Sequence, residues 1–387
     1  MKNSTYQAAV ALAAVILATG LFAATARAEN EGLKDLDKAT EAKLDAETVK
    51  ELSEVIELLE SAMKKGLDDD NRKFAEQLLA ATLIGRAEIV AEAIFDNPRQ
   101  AGARLPQFVG LAIADLERAL ALNDNQPEAH LTLARLYAAS GKKEQAIKSL
   151  GQVIDAEKVS LEKRVKALLM RGTLHSEEKQ RLADFDKAVE IAPDNAEAIS
   201  NRAVFLLSLG KTDQAIEDFT KAIEKNPDKA GLYLLRGQAL AAQEKLDEAL
   251  ADFDKAVELE PKSATGYAQR ARLYAAQNKL DKAIENLDRA IQFKSTAPSL
   301  LMLRAGVLAQ QGKIDKALAD ADAAANFPQA HLQARRLKAD LLASSDRLEE
   351  GIEQLEQLLE RFPTNAEIAQ QIASYSLVAD NPRKEIE

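Results

Sequence analysis

Arginine recurs in this chain at a fixed step. Arg202, Arg236, Arg270 and Arg304 are spaced 34 residues apart, Arg171 precedes them, and Lys338 continues the series. A row of guanidinium groups is chemistry for anions, because each planar fork of N–H donors matches a carboxylate or a phosphate. An acidic column keeps the same step: Asp184, Asp218, Asp252, Asn286 and Asp320, ending on Gln354. Where the arginine column reads Leu133, the acidic column reads Ser149. Columns that change together within one chain imply contact. Two uses are open, a cationic ladder for an anionic ligand or a row of partly buried ion pairs that sets the geometry of the scaffold. A guanidinium that already holds a carboxylate has few donors left. The pairs Arg202 with Asp218, Arg236 with Asp252 and Arg304 with Asp320 are therefore read as a structural ladder.

Other chemistry finds little support. Cysteine is absent, which removes disulfides, thiolate metal sites and a thiol nucleophile. The three histidines, His130, His175 and His331, occupy unrelated places in the 34-residue step. No G-x-S-x-G, no G-x-x-x-x-G-K-[ST] and no strand-led G-x-G-x-x-G occurs. Asp68, Asp69 and Asp70 lack the glycine-spaced loop and distal glutamate of a calcium site and read as helix caps. Catalytic residues, metal and cofactor are therefore none. The formal charge of −11 opposes binding to a phosphate backbone, so nucleic acid is not an expected partner.

Residues 1–28 read as a signal peptide. Lys2 starts it, Ala8 to Ala24 is almost wholly apolar, and Ala26-Arg27-Ala28 is a small-x-small cleavage pattern. Cleavage takes two cations and no acids, leaving −13 on an exported chain with no stable membrane insertion. The rival reading is an uncleaved N-terminal membrane anchor. No later segment is apolar enough to span a bilayer.

The elements that position the ladder follow from periodicity. Residues 29–46 read as a linker or loose helix, and residues 47–126 as an N-terminal helical region containing one divergent repeat. Within it, Val49 to Met63 predicts one helix and Phe74 to about Phe95 a second. A loop through Asn97-Pro98 to Pro106 precedes a third helix over about 108–122. Beyond, Pro193, Pro227, Pro261 and Pro363 keep the 34-residue register without insertion. Ala188, Ala222, Ala256, Ala290 and Ala324 form a second column, Ala215, Ala249, Ala283 and Ala317 a third, and Phe185, Phe219 and Phe253 a fourth, continued by Leu287. Each period predicts two antiparallel helices that approach over small residues such as Gly237 and Ala249 and end at proline. One such hairpin cannot bury its apolar face alone and must stack.

In these columns the chain resembles the tetratricopeptide repeat family. Gly237, Ala249, Phe253, Ala256 and Pro261 match the family's positions 8, 20, 24, 27 and 32, and residues 127–365 hold seven such repeats. Its usual tryptophan at position 4 is replaced by Ile199, Tyr233, Tyr267 and Leu301. Residues 366–387 read as a capping helix or the start of a further repeat. The resemblance implies an all-α solenoid, a right-handed superhelix of stacked helix hairpins. It also implies a non-catalytic scaffold that takes a protein or peptide segment in the concave groove lined by the first helix of each pair. The matching positions include Asn201, Val204, Leu234, Gln238, Gln269, Arg272, Met302 and Arg336. Two other readings stay open: the accessory region of a larger enzyme, and a self-assembling homo-oligomeric array.

Overall fold

Alanine, leucine and straight-chain charged residues favour helix. A computed structural model describes residues 31–96, 105–294 and 297–380. Its regular elements among the described residues are nineteen α-helices. They fall into two compact units, divided between Pro193 and Asp194.

The first unit holds α1 (Glu31–Asp45), α2 (Val49–Lys65), α3 (Asp69–Asp96), α4 (Leu105–Leu122), α5 (Pro127–Ala139), α6 (Lys143–Asp155), α7 (Leu161–Leu174) and α8 (Glu178–Ile191). The second holds α9 (Ala196–Ser208), α10 (Thr212–Lys225), α11 (Ala230–Ala242), α12 (Leu246–Leu259), α13 (Ala264–Ala276), α14 (Leu280–Phe293), α15 (Pro298–Gln310), α16 (Ile314–Ala325), α17 (His331–Ala343), α18 (Leu348–Arg361) and α19 (Ala366–Asp380). Within each unit, consecutive helices pair into hairpins, and the second helix of one hairpin packs on the first helix of the next. This is the expected α-solenoid of helix pairs.

The small-residue columns form its core. Ala203, Ala215, Ala222, Ala249, Ala271, Ala283, Ala290 and Ala305 have no exposed surface. Gly237 shows why the column must be small: a Cβ there would lie 2.7 Å from Cε1 of Phe253. The turn inside six of the hairpins reuses one backbone conformation. Gly141, Gly210 and Gly312 have positive φ, and Glu244, Asn278 and Asp346 take the same place at φ 62°, 56° and 59°. Side chains other than glycine are strained there.

Three expectations change. Residues 31–45, read as a linker or loose helix, form α1, which packs on α2 and buries Leu36 and Ala39. Buried Asp35 accepts hydrogen bonds from Ser61 and Lys65, which ties the two helices together. Pro106 lies in the first turn of α4 rather than in the preceding loop, where its missing N–H costs nothing. The divergent repeat is also more regular than its sequence suggests. Ala87 of α3 and Ala112, Leu116 and Ala119 of α4 are fully buried, in the order of the later columns. The hairpin differs by its long helices and the longer connection between them. The extra N-terminal turns of α3 share one core cluster with α2, Ala75 and Leu79 joining Leu52, Val55 and Leu59. A Thr48–Glu51 capping box starts α2, and Asp68 caps α3 through the Asn71 N–H at 2.9 Å. Residues 1–28, the loop over 97–104, and 381–387 lie outside the described residues.

Candidate functional site

The arginine ladder has its donors committed. Arg202, Arg236 and Arg304 each donate from Nε and Nη2 to the two carboxylate oxygens of Asp218, Asp252 and Asp320, at 2.7–2.8 Å. Arg171 holds Asp184 the same way at 2.9 and 2.7 Å across a shorter turn. All four aspartates are buried. Donating to Asp252 and Asp320 raises the Arg236 and Arg304 guanidiniums further above their ordinary range. At Leu133 and Ser149 both columns become uncharged together, and both residues are buried.

A second contact of Arg236, Arg270 and Arg304 escaped the sequence reading. Arg236 Nη1 donates to Thr220 Oγ1 at 3.1 Å, Arg270 Nη1 to Asp254 at 2.8 Å and Arg304 Nη1 to Asp288 at 2.6 Å. Each acceptor lies on the second helix of the preceding hairpin. One guanidinium therefore closes its own hairpin and also staples it to its neighbour. Arg270, whose column partner is the neutral Asn286, takes its charge from Asp254 in this way. In the first unit Arg86 repeats the arrangement, with Asp115 of α4 at 2.7 Å twice and Ser53 of α2 at 2.7 Å. For Thr220, Asp254 and Asp288 the signal was present as a third column, 16 residues before Arg236, Arg270 and Arg304.

The expected groove residues divide into three groups. Leu234 and Met302 are half-buried and belong to packing, Leu234 against Leu240, Phe253 and Leu273, and Met302 against Ala324, Ala325 and Ala334. Arg336 is also engaged: Nη1 donates to Glu367 at 2.7 Å and Nε to Gln371 at 3.0 Å, both on α19. Asp340 on the same face accepts from Gln371 and Tyr375 of α19. The next helix in the stack thus covers that part of α17.

Open positions remain on α9, α11 and α13, first helices that lie side by side. Val204 is 45% exposed, and Asn201 bonds its own helix at Glu197 O. Gln238 and Gln269 are half-buried. Arg272 is exposed and makes one long hydrogen bond, 3.4 Å, to Gln269. The resulting face has amides, small apolar groups and one lightly held cation.

On the corresponding face of the first unit Glu88 lies near Glu92 and Glu128, with Lys163 donating to Glu128. Burial pushes the Glu88 carboxyl of α3 above its usual range, and the like charges of Glu92 and Glu128 push the same way. A carboxyl raised on folding binds more protons in the folded than in the unfolded chain between the two pKa values. Stability then falls as pH rises through that interval and is lowest above it. Glu88→Gln is expected to raise the melting temperature at neutral pH and to flatten its decline from mildly acid solution, as thermal melts across pH will show. A lower melting temperature at neutral pH would contradict this.

The histidines serve the scaffold. His130 Nε2 is 3.0 Å from Asp124 O, the same backward bond to the residue six before that Tyr233 makes to Pro227 O. His331 Nδ1 lies 2.8 Å from Ala325 O, and His175 Nε2 is 3.3 Å from Asp184.

Comparison with known proteins agrees with the columns. Tetratricopeptide repeat family models match residues 200–264 and 269–331, and residues 110–169. Among solved structures, the chain is similar to a tetratricopeptide repeat protein from Parabacteroides merdae, at 19% identity and TM-score 0.50, covering 65% of this chain and 98% of that one. It is also similar to yeast Tom70, at 17% identity and TM-score 0.50, over 92% of this chain and 84% of that one. At these identities the likeness concerns the fold. No curated protein matches the chain.

Proposed function

This chain belongs to the tetratricopeptide repeat family, and from that premise we propose that it is a non-catalytic protein-interaction scaffold binding a peptide segment along α9, α11 and α13. One observation carries the reading. The ladder arginines are consumed by aspartates, whereas Val204, Gln238, Gln269 and Arg272 leave an uncharged floor with a single exposed cation. Such a floor suits an extended or helical segment whose side chains fill shallow apolar spaces while amides hold its backbone. Arg272 adds one charge-assisted contact.

The test uses photo-crosslinking residues placed singly at Val204, Gln238 and Lys255. Crosslinks to a protein are expected from the first two and not from Lys255, on α12. Arg272→Ala is expected to weaken the crosslinked partner about tenfold, the scale of one charged hydrogen bond, with no change in melting temperature. Equal crosslinking from all three positions would remove the groove reading.

The scaffold works outside the cytoplasm in this proposal, supported by Lys2, the apolar run Ala8–Ala24 and Ala26-Arg27-Ala28. No described helix is long and apolar enough to cross a membrane. Amino-terminal sequencing of the protein from the cell envelope should begin at Glu29. A chain that retains Met1 and sediments with membranes would support the anchored alternative.

A further inference from the structure

Helix α19 has one face in the stack and one face in the open. Its Ile368, Ile372 and Tyr375 pack with Ala339 of α17 and with Leu355 and Leu358 of α18. Gln371 and Tyr375 also donate to Asp340 of α17. On the other side Ala369, Gln370, Ala373, Ser374, Leu377 and Val378 are all exposed. Leu377 at 72% and Val378 at 62% are the most exposed large hydrophobic side chains among the described residues. Ala373 continues the small-residue column of Ala203, Gly237, Ala271, Ala305 and Ala339. Its four alanines have no exposed surface, because the second helix of each hairpin covers them. Ala373 has no such cover among the described residues.

Charge and spacing say what could lie there. From Ile368 to Ala379 there is no charged residue, in a chain that is 29% charged and carries −11. Two copies of so acidic a molecule repel over most of their surfaces, and an uncharged face is where they can approach. The first helix of the other unit is different. Helix α1 exposes Glu31, Lys34, Asp37, Lys38, Glu41 and Asp45, a solvated face that gives α19 no apolar counterpart. The exposed row of α19 is instead complementary to itself. Ala369, Ala373 and Leu377 follow one another at intervals of four, and Ala373 is the midpoint of Ala366–Asp380. Turning a second α19 end over end about Ala373 sets Ala373 on Ala373. It also sets each Leu377 over the small Ala369 of the other copy.

We propose that α19 docks on α19 of a second copy of this chain, antiparallel, about a two-fold axis at Ala373. Rows of side chains four apart are the ridges by which helices most often interlock, and the two alanines let the backbones come close. Leu377 and Val378 leave water on both copies at once. The same surface serves both partners, so assembly closes at the dimer and does not grow into an array. One helix face is smaller than the about 800 Å² per partner of a standard interface, so the dimer is weak and reversible. This surface lies on α19 and is separate from the α9–α13 face.

Sedimentation equilibrium of the full chain tests this from about 5 μM to about 500 μM, a range that spans weak association. Monomer is expected to convert to dimer, with no larger species. Leu377→Glu, at a largely exposed site, should keep the chain monomeric throughout without changing helix content or melting temperature. The register is tested with cysteine, which the chain lacks. Ala373→Cys should form a linked dimer on mild oxidation, because a residue on the axis meets its own copy within the about 4.4–6.8 Å between Cα atoms that a disulfide spans. Gln370→Cys should not, since its two copies are offset by about 9 Å along the paired helices. A constant monomer mass overturns the proposal and leaves the face to residues 381–387 or to a different protein. Species beyond the dimer would overturn the closed pair, and a Leu377→Glu chain that dimerises like the parent would place the contact elsewhere. Equal linking of Ala373→Cys and Gln370→Cys would overturn the antiparallel register.

Discussion

Arg236→Leu is expected to cost about 3–5 kcal/mol of folding stability, read as a large drop in the denaturant midpoint. The effect comes from what is left behind. Asp252 is 4% exposed, and both its oxygens accept from Arg236. Removing the guanidinium strands a buried carboxylate and also breaks the bond to Thr220 on the preceding hairpin. The double change Arg236→Leu with Asp252→Leu removes the orphaned charge and should recover much of the loss, because a buried pair contributes little beyond an apolar pair of equal volume. Leu133 and Ser149 already show an uncharged version of this rung. Partner binding to the folded protein should change less than stability does. An unchanged midpoint in Arg236→Leu would end the structural reading of the ladder.

Phe253→Ala should lose a similar amount, about 3–5 kcal/mol, as expected for a large buried side chain removed from a close-packed layer. The ring is 2% exposed and packs with Leu240, Ala249 and Leu273. Phe253→Leu should cost much less, about 1.5 kcal/mol or under, since Leu287 fills the equivalent place in the next hairpin with no exposed surface. The leucine would still leave space above Gly237, which has no side chain to fill it. Equal losses in the two variants, measured by the same unfolding titration, would show that the site collapses around whatever remains.

The stacking principle explains why these effects are large in a protein with so little aromatic content. Each hairpin contacts only its neighbours, so the interface between layers supplies most of what holds a layer in place. One guanidinium or one ring at that interface acts on two hairpins at once.

The hairpins, their 34-residue step and the pairing of the two charged columns were all readable from residue order. Helical packing demands a small residue wherever two backbones approach, and that demand repeats with every layer, so it is written as a column. Arg202, Arg236 and Arg304 could be matched to Asp218, Asp252 and Asp320 because a buried charge and its partner must change together. The α3–α4 hairpin was harder. Arg86 and Asp115 form the same bond as the later pairs, but the longer connection between them removes the fixed spacing by which the others were recognised.

What only the tertiary structure decided was which polar side chains remain available. Arg272 and Arg336 occupy matching faces of α13 and α17 and look alike in sequence. The structure gives Arg336 to Glu367 and Gln371, while Arg272 keeps one long contact to Gln269. Lys338 continues the arginine column, yet its ammonium turns to Asp322 on the neighbouring hairpin, and the guanidinium nearest Gln354 is that of Arg335. Periodicity records what every layer must satisfy in the same way. Availability depends on the particular side chains that adjacent layers happen to bring within hydrogen-bonding distance, and no repeat length encodes that.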